Sequence, residues 1–447
     1  MPLAGLPIGK RSALLLDKEN MTKYSISPMS SLYELYLRHP RISTDSRRIE
    51  PDSVFFALRG ASFDGNRFAA DALEKGAAYA VVDDPSLPNT RPDKADRLIV
   101  VDDALQTLQT LAREHRRELG LPILAITGSN GKTTTKELVS RVLAEKYEVY
   151  ATRGNLNNHI GVPLTLLAMT RDVEFGIVEM GASACGEIAL LCSIAEPNYG
   201  IVTNIGRAHL EGFGGPEGVR RGKGELYDWL ARTGGRVFVP ANDPVLMSMA
   251  AERETLAAEC YPTTLADGVE HHLEGDYNRF NVAAAVSVGR YFGVDDERIR
   301  YAVGSYRPDN HRSQKIRTGQ NTLILDCYNA NPSSMQASLV NFRQEPLESC
   351  TRKILILGDM LELGDWSDAE HRHIISLAAE IPDARILLVG PHFAKAYRSL
   401  ESRPADTTLY PSQEALAAEL RKHPVSQALI LVKGSHSIGL ERLADLL

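Results

Sequence analysis

Short apolar runs alternate with amphipathic stretches along most of this 447-residue chain. Pro122–Thr127, Val173–Glu179 and Tyr199–Asn204 are apolar over nearly their whole length and end in polar residues. Thr134–Glu145 carries its apolar side chains three and four residues apart, which is helical spacing. Near-continuous apolar runs that alternate with helices are typical of a parallel sheet covered on both faces. We therefore expect an α/β fold in which ligands bind beyond the carboxyl ends of the strands.

Two further blocks flank this central one. In the first block, Ser53–Leu58 and Ala77–Val82 are predicted strands and Phe68–Lys75 is a predicted helix. The block closes with the predicted helix Ala104–Glu118, which ends at a Gly and Pro stop signal. The third block repeats the theme with the predicted strands Thr322–Asp326, Lys353–Gly358, Arg385–Gly390 and Ala428–Lys433.

These blocks predict three domains, at residues 21–121, 122–309 and 310–447, and the chain length agrees with two or three. The third is expected to be a smaller doubly wound domain. Residues 1–20 are expected to be a tag or a loose tail, and the sequence does not separate those options.

Composition narrows the class of protein. Hydrophobic residues make up 43% and charged residues 24%, as in soluble globular proteins. A net charge of −7 argues against a nucleic-acid partner, and no apolar run approaches the roughly 20 residues that span a bilayer. Five cysteines without metal-ligand spacing favour free thiols in a reducing cytoplasm.

A glycine-rich turn joins the first central strand to its helix and predicts a phosphate-binding loop. In such a turn, backbone N–H groups and the helix N-terminus surround phosphate oxygens. Lys132 is expected to reach the β- and γ-phosphates of a nucleotide, and Thr133 to ligate Mg²⁺. Ile126 stands where the common P-loop pattern has its first glycine, so the loop is a compact form. Its predicted ATP ligands are Gly128, Ser129, Asn130, Gly131, Lys132, Thr133 and Thr134.

Three further residues follow the central strands. Glu179 closes a buried strand beside the loop, where a Mg²⁺ ligand is needed. His209 lies just beyond the next strand and shares the same sheet edge. Lys223 follows, but an ammonium near Mg²⁺ is repelled, so from the residues alone it is a solvated or phosphate-facing cation. A phosphate loop by itself leaves a kinase, a GTPase or a ligase open.

Five motifs together resemble the Mur ligase family. The resemblance spans nearly the whole chain from about Ile42. The motifs are TGSNGKTTTKE (Thr127–Glu137), GNLNNHIGVPLTLL (Gly154–Leu167), EMGASACGEI (Glu179–Ile188), YNANPSSM (Tyr328–Met335) and LGDMLELG (Leu357–Gly364). Sister ligases share the first motif. The other four together resemble the member of the family that adds D-alanyl-D-alanine.

The resemblance implies a UDP-sugar domain, an ATP-binding domain and a Rossmann-like domain that receives the amine. It implies ATP and two Mg²⁺ ions as cofactors, with UDP-MurNAc-tripeptide and D-alanyl-D-alanine as substrates. At the position of Lys223 the family carries a lysine carbamylated by CO₂. Such a carbamate is an anion, which can bind Mg²⁺ with Glu179 and His209. We expect a cytoplasmic monomer with Lys132, Glu179, His209 and Lys223 as its catalytic residues.

Other residue roles also follow from the resemblance. Asn278 and Asn281, which otherwise suggest only a helix start, are expected to contact adenine, while Arg312 and Asp326 reach ATP and its ribose. The expected substrate-binding residues are Ser46, Arg47, Arg59 and Gly60 for the uridine diphosphate, Asn155, Asn157, Asn158 and His159 for the sugar–peptide, and Asn329 and Lys433 in the C-terminal domain.

The implied reaction forms an acyl phosphate from the tripeptide carboxylate and ATP, and the dipeptide amine then attacks it. Closure of the C-terminal domain is expected before chemistry. The alternatives are a sister Mur ligase that adds one amino acid, a folylpolyglutamate-synthase-like ligase, a phosphotransferase or GTPase, and a nucleotide-binding module without catalysis. The first two share the loop, Glu179, His209 and Lys223 but are expected to lack NLNNHIGVPL and YNANPSSM.

Overall fold

A computed structural model describes residues 28–273, 275–307 and 314–447. Three sheets, each covered by helices, follow one another along the chain, which confirms the predicted α/β class with three domains. The predicted tail at residues 1–20, the predicted boundary at 309/310 and Arg312 lie outside the described residues. None of the helices that the structure describes is long and apolar enough to cross a bilayer.

The first domain has a four-stranded parallel sheet, in the order β1-β2-β5-β6, and a short antiparallel hairpin, β3-β4. Its elements are α1 (Pro28–Arg38), β1 (Arg41–Ser43), β2 (Ser53–Phe56), β3 (Arg59–Gly60), β4 (Phe63–Asp64), α2 (Ala69–Glu74), β5 (Tyr79–Val82), α3 (Leu87–Thr90), β6 (Leu98–Val100) and α4 (Ala104–Leu119). Helix α4 ends at Gly120 in the left-handed conformation, as its stop signal predicts.

The central domain has a six-stranded parallel sheet in the order β12-β11-β10-β7-β9-β8. Its elements are β7 (Ile123–Thr127), α5 (Lys132–Ala144), β8 (Val149–Ala151), α6 (Gly161–Leu167), β9 (Phe175–Glu179), α7 (Glu187–Ala195), β10 (Tyr199–Val202), α8 (Leu210–Phe213), α9 (Pro216–Thr233), β11 (Arg236–Pro240), α10 (Pro244–Ala251), β12 (Ala257–Tyr261), α11 (Asn278–Tyr291) and α12 (Asp296–Ser305). All residues of β7 and β9 are buried, because helices cover both faces of the sheet.

The C-terminal domain has a second six-stranded sheet in the order β13-β14-β18-β15-β16-β17, in which only the edge strand β13 runs antiparallel to its neighbour. Its elements are β13 (Gln314–Arg317), β14 (Thr322–Asp326), α13 (Pro332–Gln344), β15 (Arg352–Gly358), α14 (Ser367–Ala379), β16 (Ala384–Val389), α15 (Pro391–Arg398), β17 (Thr407–Tyr410), α16 (Gln413–Lys422) and β18 (Ala428–Lys433). The two large sheets thus bring the carboxyl ends of β7, β9, β14 and β18 to one cleft, since one cavity is lined by residues that follow or end these strands.

Candidate active site

The phosphate loop connects β7 to α5 through residues 128–131. Gly128 has φ +141°, and a Cβ there would collide with the Thr203 side chain, so glycine is required. Gly131 (φ 78°) precedes the helix, which begins at Lys132, two residues before the predicted start. Thr133 therefore lies in the first helical turn. The Lys132 ammonium donates to the carbonyl oxygens of Gly128 (2.8 Å) and Ser129 (3.2 Å).

A cavity of about 860 Å³ opens in front of this loop, between the central and C-terminal domains. Most predicted site residues line it. They are Ser129, Asn130, Gly131, Lys132, Thr133, Thr134, Asn157, Asn158, His159, Glu179, His209, Asn278, Asn281, Asp326, Asn329 and Lys433. A volume of this size suits a nucleotide together with part of a second substrate.

Other predicted residues do not line this cavity. Ser46, Arg47, Arg59 and Gly60 lie in the first domain, where the Arg59 Nε donates to Asp83 at 2.7 Å. The cavity is not lined by Gly128, Asn155 or Lys223, although each of these is close in sequence or in space to a residue that does line it.

Glu179 carries a carboxylate oxygen that is well suited to a cation. Its side chain is 2% exposed, and Oε1 accepts a hydrogen bond from Asn157 Nδ2 at 2.8 Å. Oε2 is buried and has no hydrogen-bond partner among the described residues. A buried carboxylate oxygen is unfavourable without a partner, and Mg²⁺ prefers oxygen ligands. The observation fits a cation next to the phosphate loop.

Lys223 lies in α9 with 1% of its surface exposed. Its Nζ donates to the Ala182 carbonyl oxygen at 3.1 Å, and Ala182 lines the cavity. Burial, and to a smaller extent the nearby charge of Lys132, lowers the pKa of Lys223 to about 7. A substantial share of Lys223 is therefore an uncharged amine at neutral pH.

His209 pairs with Glu362 of the C-terminal domain through Nδ1. Burial lowers the pKa of this imidazole, although Glu362 opposes that shift. Within the described residues, no three His, Cys, Asp or Glu side chains converge as a metal site. The predicted metal set differs from such a cluster because it adds the Thr133 hydroxyl and a modified lysine to Glu179 and His209.

Asn278 and Asn281 form part of α11, which packs against the loop helix. Thr135 Oγ1 donates to Asn281 Oδ1 at 3.0 Å, and Asn281 Nδ2 donates to Asn278 Oδ1 at 2.8 Å. A Cβ at Gly131 would approach Asn281 Oδ1 to 2.8 Å. Asn281 thus joins α11 to the helix that follows the phosphate loop, and both asparagines line the cavity.

On the opposite wall, Lys433 and Asp326 form an ion pair across the paired strands β14 and β18. Lys433 is 1% exposed, and its Nζ also lies 3.4 Å from the Asn329 carbonyl oxygen. Ser338 Oγ donates to the Asp326 carboxylate at 2.9 Å. Because the two opposite charges compensate each other, the pair forms a polar part of the cavity wall without net charge.

Several residues at the site were not predicted. Asn204 holds the loop, because its Nδ2 donates to the Asn130 carbonyl at 2.9 Å and its Oδ1 accepts from the Asn130 N–H at 3.1 Å. Its position at the end of a predicted strand was a usable signal. Asn331 exchanges side-chain hydrogen bonds with Asn130 across the domain interface, at 2.8 and 3.3 Å. Only its helix-capping role is visible in the sequence, as an Asn before a Pro.

Three family profiles match the chain in the order of its domains. "Mur ligase family, catalytic domain" covers residues 40–116, "Mur ligase middle domain" covers 126–261, and "Mur ligase, glutamate ligase domain" covers 311–436.

Curated relatives match over nearly their full length. UDP-N-acetylmuramoyl-tripeptide–D-alanyl-D-alanine ligase of Bacillus subtilis (strain 168) is 34% identical over 90% of this chain and 92% of its own. The enzyme of the same name from Escherichia coli (strain K12) is 30% identical over 90% and 92%.

Two solved MurF structures are also similar to this chain over more than nine-tenths of its length. A crystal structure of MurF from Acinetobacter baumannii has a TM-score of 0.80 and 30% identity, with 91% of this chain and 93% of that chain covered. MurF ligase from Thermotoga maritima, in complex with ADP, has a TM-score of 0.77 and 25% identity, with 92% and 97% covered. A folylpolyglutamate synthase from Mycobacterium tuberculosis, at 13% identity and a TM-score of 0.59, shares the fold alone.

Proposed function

The chain belongs to the Mur ligase family, and from this membership we propose that it ligates D-alanyl-D-alanine to UDP-N-acetylmuramoyl-tripeptide with ATP, in peptidoglycan precursor synthesis. The observation that carries the proposal is the cavity itself. It brings the phosphate loop to face Asp326, Asn329 and Lys433 of the C-terminal domain. An ATP-dependent ligase needs two reactants at one centre: the ATP that donates a phosphoryl group, and the amine that attacks the resulting acyl phosphate.

In the proposed first step, an oxygen of the tripeptide carboxylate attacks the γ-phosphorus of ATP. A C–O–P linkage forms, and the bond to the ADP oxygen breaks. The N–H groups of the loop and the Lys132 ammonium stabilise the negative charge on the phosphate oxygens. Thr133, Glu179, His209 and a carbamate on Lys223 would hold Mg²⁺, which neutralises phosphate charge when bound.

In the second step, the free amine of the dipeptide attacks the acyl carbon. The new C–N bond forms, the C–O bond to phosphate breaks, phosphate leaves with the electron pair, and the amine loses a proton. Asn329 and Lys433 lie on the wall that would orient the dipeptide, while Asp326, which pairs with Lys433, would reach ATP and its ribose. Asn155, Asn157, Asn158 and His159 would hold the sugar–peptide part of UDP-MurNAc-tripeptide near the γ-phosphate, while Ser46, Arg47, Arg59 and Gly60 would bind its uridine diphosphate.

Phosphate release provides the direct test. With ATP, Mg²⁺ and UDP-MurNAc-tripeptide present, addition of D-alanyl-D-alanine should start steady phosphate release, and the pentapeptide product should appear in equal amount. A single amino acid should give no release. Release that ignores the dipeptide but responds to one amino acid would instead establish the sister-ligase function.

We also propose that the buried Lys223 amine is carbamylated. The uncharged amine attacks CO₂, a C–N bond forms and one proton leaves, which converts a potential cation into an anion. Its burial and lowered pKa support this chemistry. The full-length protein equilibrated with ¹³C-bicarbonate should show a carbamate carbon signal that is missing in Lys223→Ala. Lys395→Ala removes an exposed lysine and should retain the signal; a fully active Lys223→Ala variant would exclude a functional carbamate.

A cytoplasmic monomer is the proposed working form. The use of ATP and of a UDP-linked substrate favours the cytoplasm. A monomer is favoured because one chain supplies both walls of the described cavity. Size-exclusion chromatography with light scattering should give a mass near 49.1 kDa.

A further inference from the structure

Besides the contact between Asn331 and Asn130, the C-terminal domain docks onto one short segment of the central domain. This segment, residues 203–211, is called the connector below. Within it, Arg207 Nη1 lies 2.8 Å from Glu370 Oε1 of α14. The Arg207 backbone N–H donates to Ser333 Oγ of α13 at 2.8 Å. Helices α13 and α14 of the C-terminal domain therefore both contact the connector through their first turns.

Two further contacts lie two and four residues after Arg207 in the connector. The Glu211 N–H donates to the Glu362 carbonyl oxygen at 3.2 Å, and the Glu362 carboxylate pairs with His209. Both His209 (φ 52°) and Glu362 (φ 61°) adopt the left-handed conformation, which is uncommon for residues with a side chain. Such backbone is retained when surrounding contacts fix it.

The other end of the connector holds the phosphate loop. Asn204 brackets the Asn130 peptide group, as described above. Ser129 and Gly206 exchange two further hydrogen bonds, from Gly206 N to Ser129 Oγ (2.9 Å) and from Ser129 Oγ to the Gly206 carbonyl (3.1 Å). One continuous stretch of backbone thus touches both the nucleotide-binding loop and the C-terminal domain.

The burial of Glu370 makes its ion pair with Arg207 important for the free energy of domain docking. The side chain is only 3% exposed, whereas Arg207 is 48% exposed at the edge of the interface. Glu370 Oε2 has no hydrogen-bond partner among the described residues. A buried carboxylate that loses its cation is strongly unfavourable, so the docked arrangement depends on Arg207. Neither residue lines the cavity.

We propose that Arg207 and Glu370 are positioning residues whose ion pair keeps the C-terminal domain docked on the connector. Through the connector, the pair aligns the phosphate loop with the Asp326–Lys433 wall. The proposal rests on the proposed function for its catalytic meaning, but the docking itself is a property of the full chain that does not require turnover.

The test compares Arg207→Ala, Glu370→Gln and the double variant as full-length proteins. Small-angle scattering with ADP and Mg²⁺ should give a larger radius of gyration for Arg207→Ala than for the wild type. We expect kcat to fall by about tenfold, while the Kd of ADP rises by a smaller factor, because the phosphate loop remains intact. The double variant should lose no more activity than the worse single variant, since both changes break one contact.

Arg290→Ala is the matched control. Arg290 is also 48% exposed and 2.8 Å from its partner Asp296, but both lie in the central domain. It should leave the scattering curve and kcat at wild-type values. If Arg207→Ala does not fold, Arg207→Lys replaces it, and a smaller expansion with partial activity is expected.

The proposal is overturned if the Arg207 variants scatter like Arg290→Ala, or if the losses in kcat of the two single variants multiply in the double variant. A wild-type protein without ligase activity that still expands on Arg207→Ala would overturn the proposed function alone. An active wild-type protein without that expansion would overturn the docking proposal alone.

Discussion

Glu179 combines two requirements that oppose each other. Its Oε2 is buried without a hydrogen-bond partner among the described residues, which costs folding free energy, yet Glu179 lines the cavity and is a predicted Mg²⁺ ligand. Removing a buried unpaired charge should therefore stabilise the fold while it removes a ligand.

Glu179→Gln is expected to raise the unfolding temperature measured without Mg²⁺. Gln retains an oxygen that can accept from Asn157, so the local geometry should persist. Ligase activity should fall by about a hundredfold or more, because phosphate charge is no longer neutralised as well. Calorimetry and phosphate release provide the two measurements. Full activity in this variant would contradict the metal role.

His115 predicts a pH dependence of stability. Its Nε2 lies 2.8 Å from the Met169 carbonyl and its Nδ1 lies 3.1 Å from the Tyr33 hydroxyl, and burial lowers the pKa of His115 below 6.5. Below pH 6.5 the unfolded chain therefore binds a proton that the folded chain does not, and stability falls as pH decreases.

His115→Gln should reduce this loss. Gln can still donate to Met169 and accept from Tyr33, but it does not titrate. The slope of unfolding free energy between pH 6.5 and 5 should be smaller by up to about 1.4 kcal/mol per pH unit. Urea denaturation at several pH values would measure it. Parallel curves for the two proteins would contradict the assignment.

The placement of the candidate catalytic residues was predictable because they follow strands of a parallel sheet. Lys132, Glu179 and His209 all end at one cavity for that reason. Their partners were not predictable in the same way. Glu362 meets His209 from 153 positions away, and no local pattern encodes which loop of one domain reaches which loop of another. Arg312 lies outside the described residues, so its role stays a prediction.

At the scale of the element, α13 shows how a helix start also serves an interface. Asn331 Oδ1 caps the helix by accepting from Ser334 N at 2.9 Å, and Pro332 occupies the first turn. The same side chain donates through Nδ2 to Asn130 Oδ1. Oδ1 serves both roles, because it also accepts from Asn130 Nδ2 at 3.3 Å, whereas Nδ2 serves only the interface and can be removed separately by substitution.

Asn331→Asp keeps the capping oxygen but loses the amide donor, whereas Asn331→Ala loses both. We expect Asn331→Ala to lower the free energy of unfolding by about 1 kcal/mol and Asn331→Asp to lower it little. Both should reduce kcat, because both lose the 2.8 Å hydrogen bond that Asn331 Nδ2 donates to Asn130 Oδ1 in the phosphate loop. Equal activity of Asn331→Asp and wild type would limit Asn331 to capping.

Element positions were predictable to within a few residues, since apolar runs and Gly or Pro stops mark them. The start of α5 is an instructive difference: the prediction began at Thr134, but the left-handed Gly131 allows the helix to begin at Lys132. The edge strands β13 and β17 were not predicted. Edge strands are half-covered, so Gln314–Arg317 and Thr407–Tyr410 carry polar side chains that hide the pattern.

At the scale of the molecule, two sheets on separate domains form one cavity, so a nucleotide bound there should couple them. ADP with Mg²⁺ is expected to stabilise the whole chain. At a hundredfold excess over its Kd, the gain should be about 2.7 kcal/mol. Thermal unfolding with and without EDTA measures it; an ADP effect that is unchanged by EDTA would contradict a metal beside the phosphates.

The connector also matters for inhibition. Arg207 is half exposed at the edge of the domain interface and does not itself line the cavity, although Gly206 and His209 of the connector do. A small molecule wedged between Arg207 and α14 would hold the two domains apart without resembling ATP. Such a compound should lower the maximal rate at every ATP concentration. Raising cellular ATP would not relieve this inhibition, because the compound would not compete with ATP for one site.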